Sequence, residues 1–383
     1  MFLQEAKIQK EKVFQSIYKK RRWVLLSFVV PMFAMQVAIF QGFAIAFLRE
    51  PLPALKPFSG AHLHNPYGQD DWSLGQEKVA LHLHSSEVWY TPERHSRQDI
   101  EFAYSSQGYT ALGFTDYSEF FSTKNPKLGS VSGYEWGLNV RKRHALAFGG
   151  RESIPDYFPI YASRENVSWT FRKMREAGSY VVVSHPKLHD AYTREDLSKI
   201  YHYNAIEVFS PFGDDTKVLD HLLSQGRNVH CMSSDDMHYL PESVTKTLDQ
   251  PWWKSLLQTV LLQRGRKGEG FKRHLVFPKT HTNETNIHTD LEAGAFFCVK
   301  KHFADATDPL VPQIKIEGSE ITLTSEERYI EVRWIGENGE YLKIDSDTNK
   351  SKLALENVKT YVRLELMSLS GVVLSNALTR TNL

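Results

Sequence analysis

Through the middle of the chain, short apolar runs alternate with amphipathic stretches. Residues 79–83, 111–115, 132–136, 144–148, 180–183, 205–209 and 229–232 are too short for helices and read as strands. Several are apolar throughout, as strands covered on both faces are. Residues 96–107 have helical spacing with Ser96 as N-cap and Gly108 as the stop, and 166–177 form a second such stretch closed by Gly178. This alternation predicts an α/β protein of βα units around a mainly parallel sheet or barrel. Residues 285–294 read as a last helix or turn before a buried strand at 295–299. Beyond residue 308 charged and apolar positions alternate, at 313–316, 320–324, 329–334, 341–344 and 360–366, which predicts the half-buried antiparallel strands of a small β-sandwich.

The N-terminal pattern is of another kind. Residues 1–22 are polar and end in Lys19-Lys20-Arg21-Arg22, and residues 23–48 contain no charge. A hydrocarbon core takes roughly 20 apolar residues to cross, so 23–48 is predicted to be a transmembrane helix. The basic cluster places the N-terminus in the cytoplasm and the rest of the chain in the periplasm or another extracytoplasmic space. Residues 49–77 form a linker stiffened by Pro51, Pro53 and Pro57, and His62-Leu63-His64, in a polar, turn-rich setting before Pro66, reads as a loop. The predicted organisation is completed by a barrel over 78–305 and a β-module over 306–383.

Composition narrows the function classes. Lys and Arg number 46 against 45 for Asp and Glu, so no global field favours nucleic acid. Cys231 and Cys298 match no Cys-x-x-Cys zinc spacing, and no disulfide follows from sequence alone. The 16 histidines matter because several stand at strand ends.

Ligands in α/β barrels and parallel sheets gather at the carboxyl ends of strands. Taken in order, those ends carry His82 and His84, Asp116, Glu135, His144, His185, Glu207, and Asp235-Asp236-Met237-His238. One His-x-His is equally consistent with a buried, hydrogen-bonded pair; the series is what points to metal. Nitrogen and carboxylate donors without thiolates suit Zn²⁺, Mn²⁺ or Fe²⁺. A carboxylate such as Glu135 can bridge two ions. Glu207 either fixes a ligand imidazole or caps its strand. Lys187, Arg94 and Arg97 are candidate phosphate clamps, set against the plainer reading of solvated surface charge. Trp252, Trp253 and the basic run 264–267 read as part of helices completing the barrel.

Leu81-His82-Leu83-His84-Ser85, Gly108 to Asp116, Gly133-Tyr134-Glu135, His144, Ser184-His185-Pro186 and Ser234-Asp235-Asp236-Met237-His238 together resemble the PHP (polymerase and histidinol phosphatase) superfamily. The resemblance implies a distorted (β/α)7 TIM-like barrel holding two or three metals. It assigns one ion to His82, His84, Glu135 and Asp236, and a second to Glu135, His144 and His185. At the third position the chain departs from the family, with Tyr117 where Asp-His is usual and Tyr90 in place of a further histidine. His238 matches the remaining third-site ligand, and His95 is an available substitute. Two ions are therefore expected.

The implied activity is metal-dependent hydrolysis of a phosphate ester, in a phosphorylated small molecule or a phosphodiester, by a water that the ion pair converts to hydroxide. Asp116 or His238 would move protons. The alternative is a metal-binding or sensor module with little or no catalysis, suggested by Tyr117.

Overall fold

The computed structural model describes residues 27–52, 54–68, 72, 75–91, 93, 95–241, 270–278 and 284–382. The basic segment 1–22, Arg94, Trp252, Trp253 and the run 264–267 lie outside these. The first helix, α1 (Ser27–Phe47), is long and apolar enough to cross a membrane, and its first half is exposed. The segment β1 (His62–His64) is a strand rather than the expected loop. It pairs antiparallel with β17 (Leu378–Thr381), which supplies the backbone partners that local sequence gives no sign of.

The central part follows the expected alternation of strands and helices. Strands β2 (Gln76–Leu83), β3 (Ala111–Phe114) and β4 (Gly129–Ser130) are parallel neighbours, with α2 (Arg97–Ser106) between the first two. Ser96 caps α2 in a reciprocal box with Asp99, as its position before the helical spacing predicts. A five-stranded sheet follows: β5 (Gly133–Trp136), β6 (Ala145–Phe148), β7 (Tyr180–Val183), β8 (Ala205–Phe209) and β9 (His230–Ser233), in that order. Helices α3 (Arg164–Glu176), α4 (Arg194–Lys199) and α5 (Thr216–Ser224) are interleaved with them. The pairs β5/β6 and β6/β7 are antiparallel and only β7/β8 and β8/β9 are parallel, so a mainly parallel sheet is not what forms. Residues 137–144 link β5 to β6 without a helix, and a parallel crossover takes about a dozen residues or more.

The remaining strands belong to the sheet that contains β2. These are β10 (Arg273–Pro278), then β11 (Phe297–Lys301) after helix α6 (Glu284–Ala293), then β12 (Gln313–Glu317), β13 (Glu320–Ile335), β14 (Tyr341–Ala354), β15 (Tyr361–Met367) and β16 (Gly371–Ser375). Antiparallel pairing of β10 with β2, of β11 with β10 and of β11 with β16 makes one ladder that runs from β2, which carries His82, into the C-terminal strands. The two sheets meet at isolated bridges, Leu83 with Met237 and Tyr117 with Glu135. Among the described residues the strands do not close into one continuous barrel ladder; the architecture is mixed α/β.

The larger core lies between the five-stranded sheet and its helices, around Trp136, Phe148, Phe171 and Val182. A second core, around Trp334, Phe297 and Val332, lies under the C-terminal strands. Cys231 on β9 and Cys298 on β11 form a disulfide, a pairing that sequence alone did not reveal.

Candidate metal centre

The two histidines at the end of β2, His82 and His84, are buried, but regular alternation is not what aims them. Across from β3, Leu81 faces Gly113 and Leu83 faces Phe114, so His82 is the extra residue of a bulge, with φ +78°. Its ring lies 5.1 Å from that of His84. His185 (φ +26°) and Asp236 (φ +44°) also have positive φ. Such backbone costs of order 1–3 kcal/mol per residue and persists where the surroundings over-determine it, which is common at functional sites.

Glu135 is the hub. Its Oε1 lies 2.8 Å from His144 Nδ1, 3.2 Å from His185 Nε2 and 3.7 Å from His82 Nε2, and its Oε2 lies 3.3 Å from His84 Nε2. Asp236 Oδ1 is a second focus, 3.0 Å from His82 Nε2, 3.4 Å from His84 Nε2 and 3.1 Å from His238 Nε2. The five histidines and two carboxylates expected as ligands therefore lie in one buried cluster. Each of three triads, His82/Glu135/His185, His82/His84/Asp236 and His84/Glu93/His238, has donor atoms within 4.8 Å of one another.

The donor set fits cations. Among the described residues His82 Nε2, His84 Nε2, Glu135 Oε2 and both ring nitrogens of His144 are buried with no hydrogen-bond partner. Buried polar atoms are ordinarily paired, so a cluster of such atoms aimed at one another has the pattern of a ligand set.

Charge is spread accordingly. Burial opposes a proton on His82, yet Asp236 and Glu207 override it and hold its pKa well above 6.5. For His84 burial is again outweighed, by Asp236 and Glu135, and the pKa is raised to about 10. Burial would raise Glu135 and Asp236, but the surrounding imidazoles hold both well below the usual carboxylate range. At neutral pH the cluster is a set of anionic carboxylates among imidazoles able to exchange protons for metal.

Glu207 braces the cluster. One oxygen accepts from Ser234 Oγ at 2.5 Å and lies 2.7 Å from His82 Nδ1, and the other accepts from the His185 backbone N–H at 2.6 Å. Of its two expected roles, it takes the one that fixes an imidazole. Asp116 accepts from Ser85 N and Ser85 Oγ, both at 2.6 Å, and so clamps the turn that follows the histidine strand. Tyr117 stacks on His84, with ring centres 5.3 Å apart. Tyr90 donates to the Tyr117 carbonyl, and His95 contributes its carbonyl to Ser86 N.

Sequence reasoning missed Glu93. Its Oε1 lies 2.7 Å from His238 Nδ1, and it sits where the family's third-site residues were sought at Tyr90 and His95. It stands in an irregular loop with no spacing to single it out. Of the expected phosphate clamps, Arg97 donates to the Ser122 carbonyl and rests over Phe121, and Lys187 donates to the Asp214 carbonyl. Arg94 lies outside the described residues.

No family model and no curated protein sequence matches the chain. Among solved structures it is similar to a two-domain protein from Bacteroides vulgatus described as containing a predicted PHP-like metal-dependent phosphoesterase. That likeness has 12% identity and a TM-score of 0.41, over 87% of this chain and 92% of that one. It is also similar to a candidate metal-dependent phosphoesterase from Bifidobacterium adolescentis, at 13% identity and a TM-score of 0.31, over 47% of this chain and 95% of that one. Both likenesses are distant and carry no argument by themselves; the buried cluster of imidazoles and carboxylates stands on the geometry above.

Proposed function

We propose that the chain is a metal-dependent phosphoesterase of the PHP type, built on a distorted barrel and anchored to a membrane by α1. The observation that carries this reading is the position of Glu135, one carboxylate with four imidazole nitrogens within 2.8–3.7 Å. His82, His84, Glu135 and Asp236 would hold one divalent cation, and Glu135, His144 and His185 a second. Such a pair lowers the pKa of a bound water and neutralises charge on the phosphoryl oxygens. The residues' own work is positioning: Glu207 orients His82, and Asp116 fixes the turn after His84. Asp116, held on both oxygens by Ser85, and His238, which Glu93 orients through Nδ1, are the groups that would move protons. The catalytic part is assigned to the extracytoplasmic side, where the Cys231–Cys298 disulfide would persist.

A second reading, a metal-binding module with little turnover, is favoured by Tyr117, whose ring covers His84 where the family carries a histidine. Hydrolysis of an aryl phosphate by the full chain with added Mn²⁺ or Zn²⁺, lost in Glu135→Ala, separates the two. Absence of turnover across phosphomonoesters and phosphodiesters would favour the module.

A further inference from the structure

The loop that joins the two ligands Glu135 and His144 has a feature that metal binding does not use. Asn139 is turned inward, where it exchanges two hydrogen bonds with the Arg143 backbone, donating from Nδ2 to the carbonyl and accepting from the N–H at Oδ1. Gly137 has φ +111°, and a Cβ there would fall 2.2 Å from the Arg143 carbonyl oxygen, so the loop is closed tightly at its base. The two residues flanking Asn139 are consequently thrown outward: Leu138 is 50% exposed and Val140 77%. Apolar side chains this open leave a large part of their surface uncovered among the described residues.

The loop is tied to the helix that would enter the membrane. Val140 N donates to the Pro159 carbonyl. The neighbouring residues Ile160 and Tyr161, 51% and 45% exposed, are bound in turn by Gln41 of α1, which accepts from Ile160 N and donates to the Tyr161 carbonyl. As a helix, the uncharged run from Trp23 to Leu48 would rise ~39 Å at ~1.5 Å per residue. That is ~9 Å more than the ~30 Å of hydrocarbon it has to cross. With Lys19 to Arg22 held at the inner surface, the outer surface of the bilayer falls near Gln41. Leu138, Val140, Ile160 and Tyr161 therefore cluster at bilayer level, and tyrosine is a residue that interfaces favour.

The same loop carries positive charge. Arg141 lies over the Tyr161 ring at 5.6 Å, and Lys142 stands two residues before His144 in the chain. Both line a cleft of ≈ 370 Å³ together with His189 and Thr193, on the segment that follows His185, and with two carboxylates, Asp190 and Asp196, of which Asp196 is paired with Arg143. Apolar residues at the membrane surface beside Arg141 and Lys142, on the loop that leads into His144, are complementary to an amphiphile with an anionic head.

We propose that the rim of the metal centre lies on the outer leaflet, and that the substrate is the phosphate group of a membrane-resident amphiphile. The substrate half of this proposal rests on the phosphoesterase reading; the docking half does not. The test uses the full chain in phosphatidylcholine nanodiscs. An environment-sensitive fluorophore at Val140→Cys is quenched by nitroxide-bearing lipids, whereas the same label at Leu369→Cys, in the turn between β15 and β16, is not. Long-chain phosphatidic acid is hydrolysed at least tenfold faster than glycerol 3-phosphate. In the Leu138→Asp/Ile160→Asp double variant that preference falls at least tenfold while p-nitrophenyl phosphate turnover stays within twofold. An unquenched Val140 label would overturn the docking. Equal turnover of the two phosphates would overturn the substrate assignment and leave the phosphoesterase reading standing. Hydrolysis of neither phosphate nor of the aryl ester, with the label still quenched, would overturn the phosphoesterase reading and the substrate assignment with it.

Discussion

At the scale of single residues the centre depends on carboxylates that each serve several imidazoles. Glu207 touches no expected cation, yet it sets the ring of His82, the backbone of His185 and the hydroxyl of Ser234. Partners of this kind typically contribute 10–100-fold in metal affinity. Glu207→Gln keeps the shape and loses the charge, and is expected to weaken Zn²⁺ binding within that range in a competition titration against a chromophoric chelator; unchanged affinity would contradict the role. The residues that gather at the centre were legible in the sequence as a series at or beside the ends of apolar strands, with His144 opening its strand, a pattern independent of long-range contacts. Glu93 was not, because nothing local distinguishes it from any other loop carboxylate until His238 is brought against it. Two of the expected phosphate clamps are engaged by the backbone in this structure. Nearness to a ligand in sequence does not direct a long side chain, and Arg97 and Lys187 find carbonyls elsewhere.

At the scale of elements, strand positions were readable and strand partners less so. A run such as Tyr180–Val183 announces a buried strand, but its antiparallel pairing with β6 depends on how the chain returns. The bulge at His82 is likewise invisible in a regular apolar run. The disulfide adds a covalent tie between β9 and β11, closing a loop of sequence separation 67. By chain-entropy reasoning such a loop is worth about 4 kcal/mol. The Cys231→Ser/Cys298→Ser variant should therefore lose roughly 2–5 kcal/mol in urea unfolding. Loss of less than about 0.5 kcal/mol would show that the thiols are not bonded in solution.

His230, on the same strand β9, makes that strand acid-sensitive. Burial lowers its pKa to about 4, and its Nδ1 lies 2.9 Å from the Tyr180 hydroxyl. Since the unfolded chain takes up this proton first, near pH 6.5, stability is full above that value and falls as pH drops through 4. Between pH 7 and pH 5 the cost is about 2 kcal/mol. His230→Gln should remove that part of the pH dependence. A variant whose unfolding free energy falls as steeply as the wild type's would contradict the assignment.

At the scale of the whole molecule, one ladder passes from the histidine strand β2 through β10 and β11 to β16. The C-terminal strands thereby buttress the sheet that carries the first two ligands, a continuity that the change of pattern near residue 308 conceals. The N-terminal helix packs its last turns on α3, where Asn166 Nδ2 donates to the Ile45 and Leu48 carbonyls. The N-terminal helix and the α/β part of the chain are thus in contact, which composition alone could not foretell.

The central claim is that one carboxylate organises a pair of cations among these histidines. Elemental analysis of the full chain, purified without chelators and compared with Glu135→Ala, tests it most directly. About two divalent ions per wild-type chain and fewer than one in the variant, with the fold retained by circular dichroism, is the predicted result. A variant that keeps both ions, or a wild-type chain that holds none after incubation with Zn²⁺ or Mn²⁺, would contradict it.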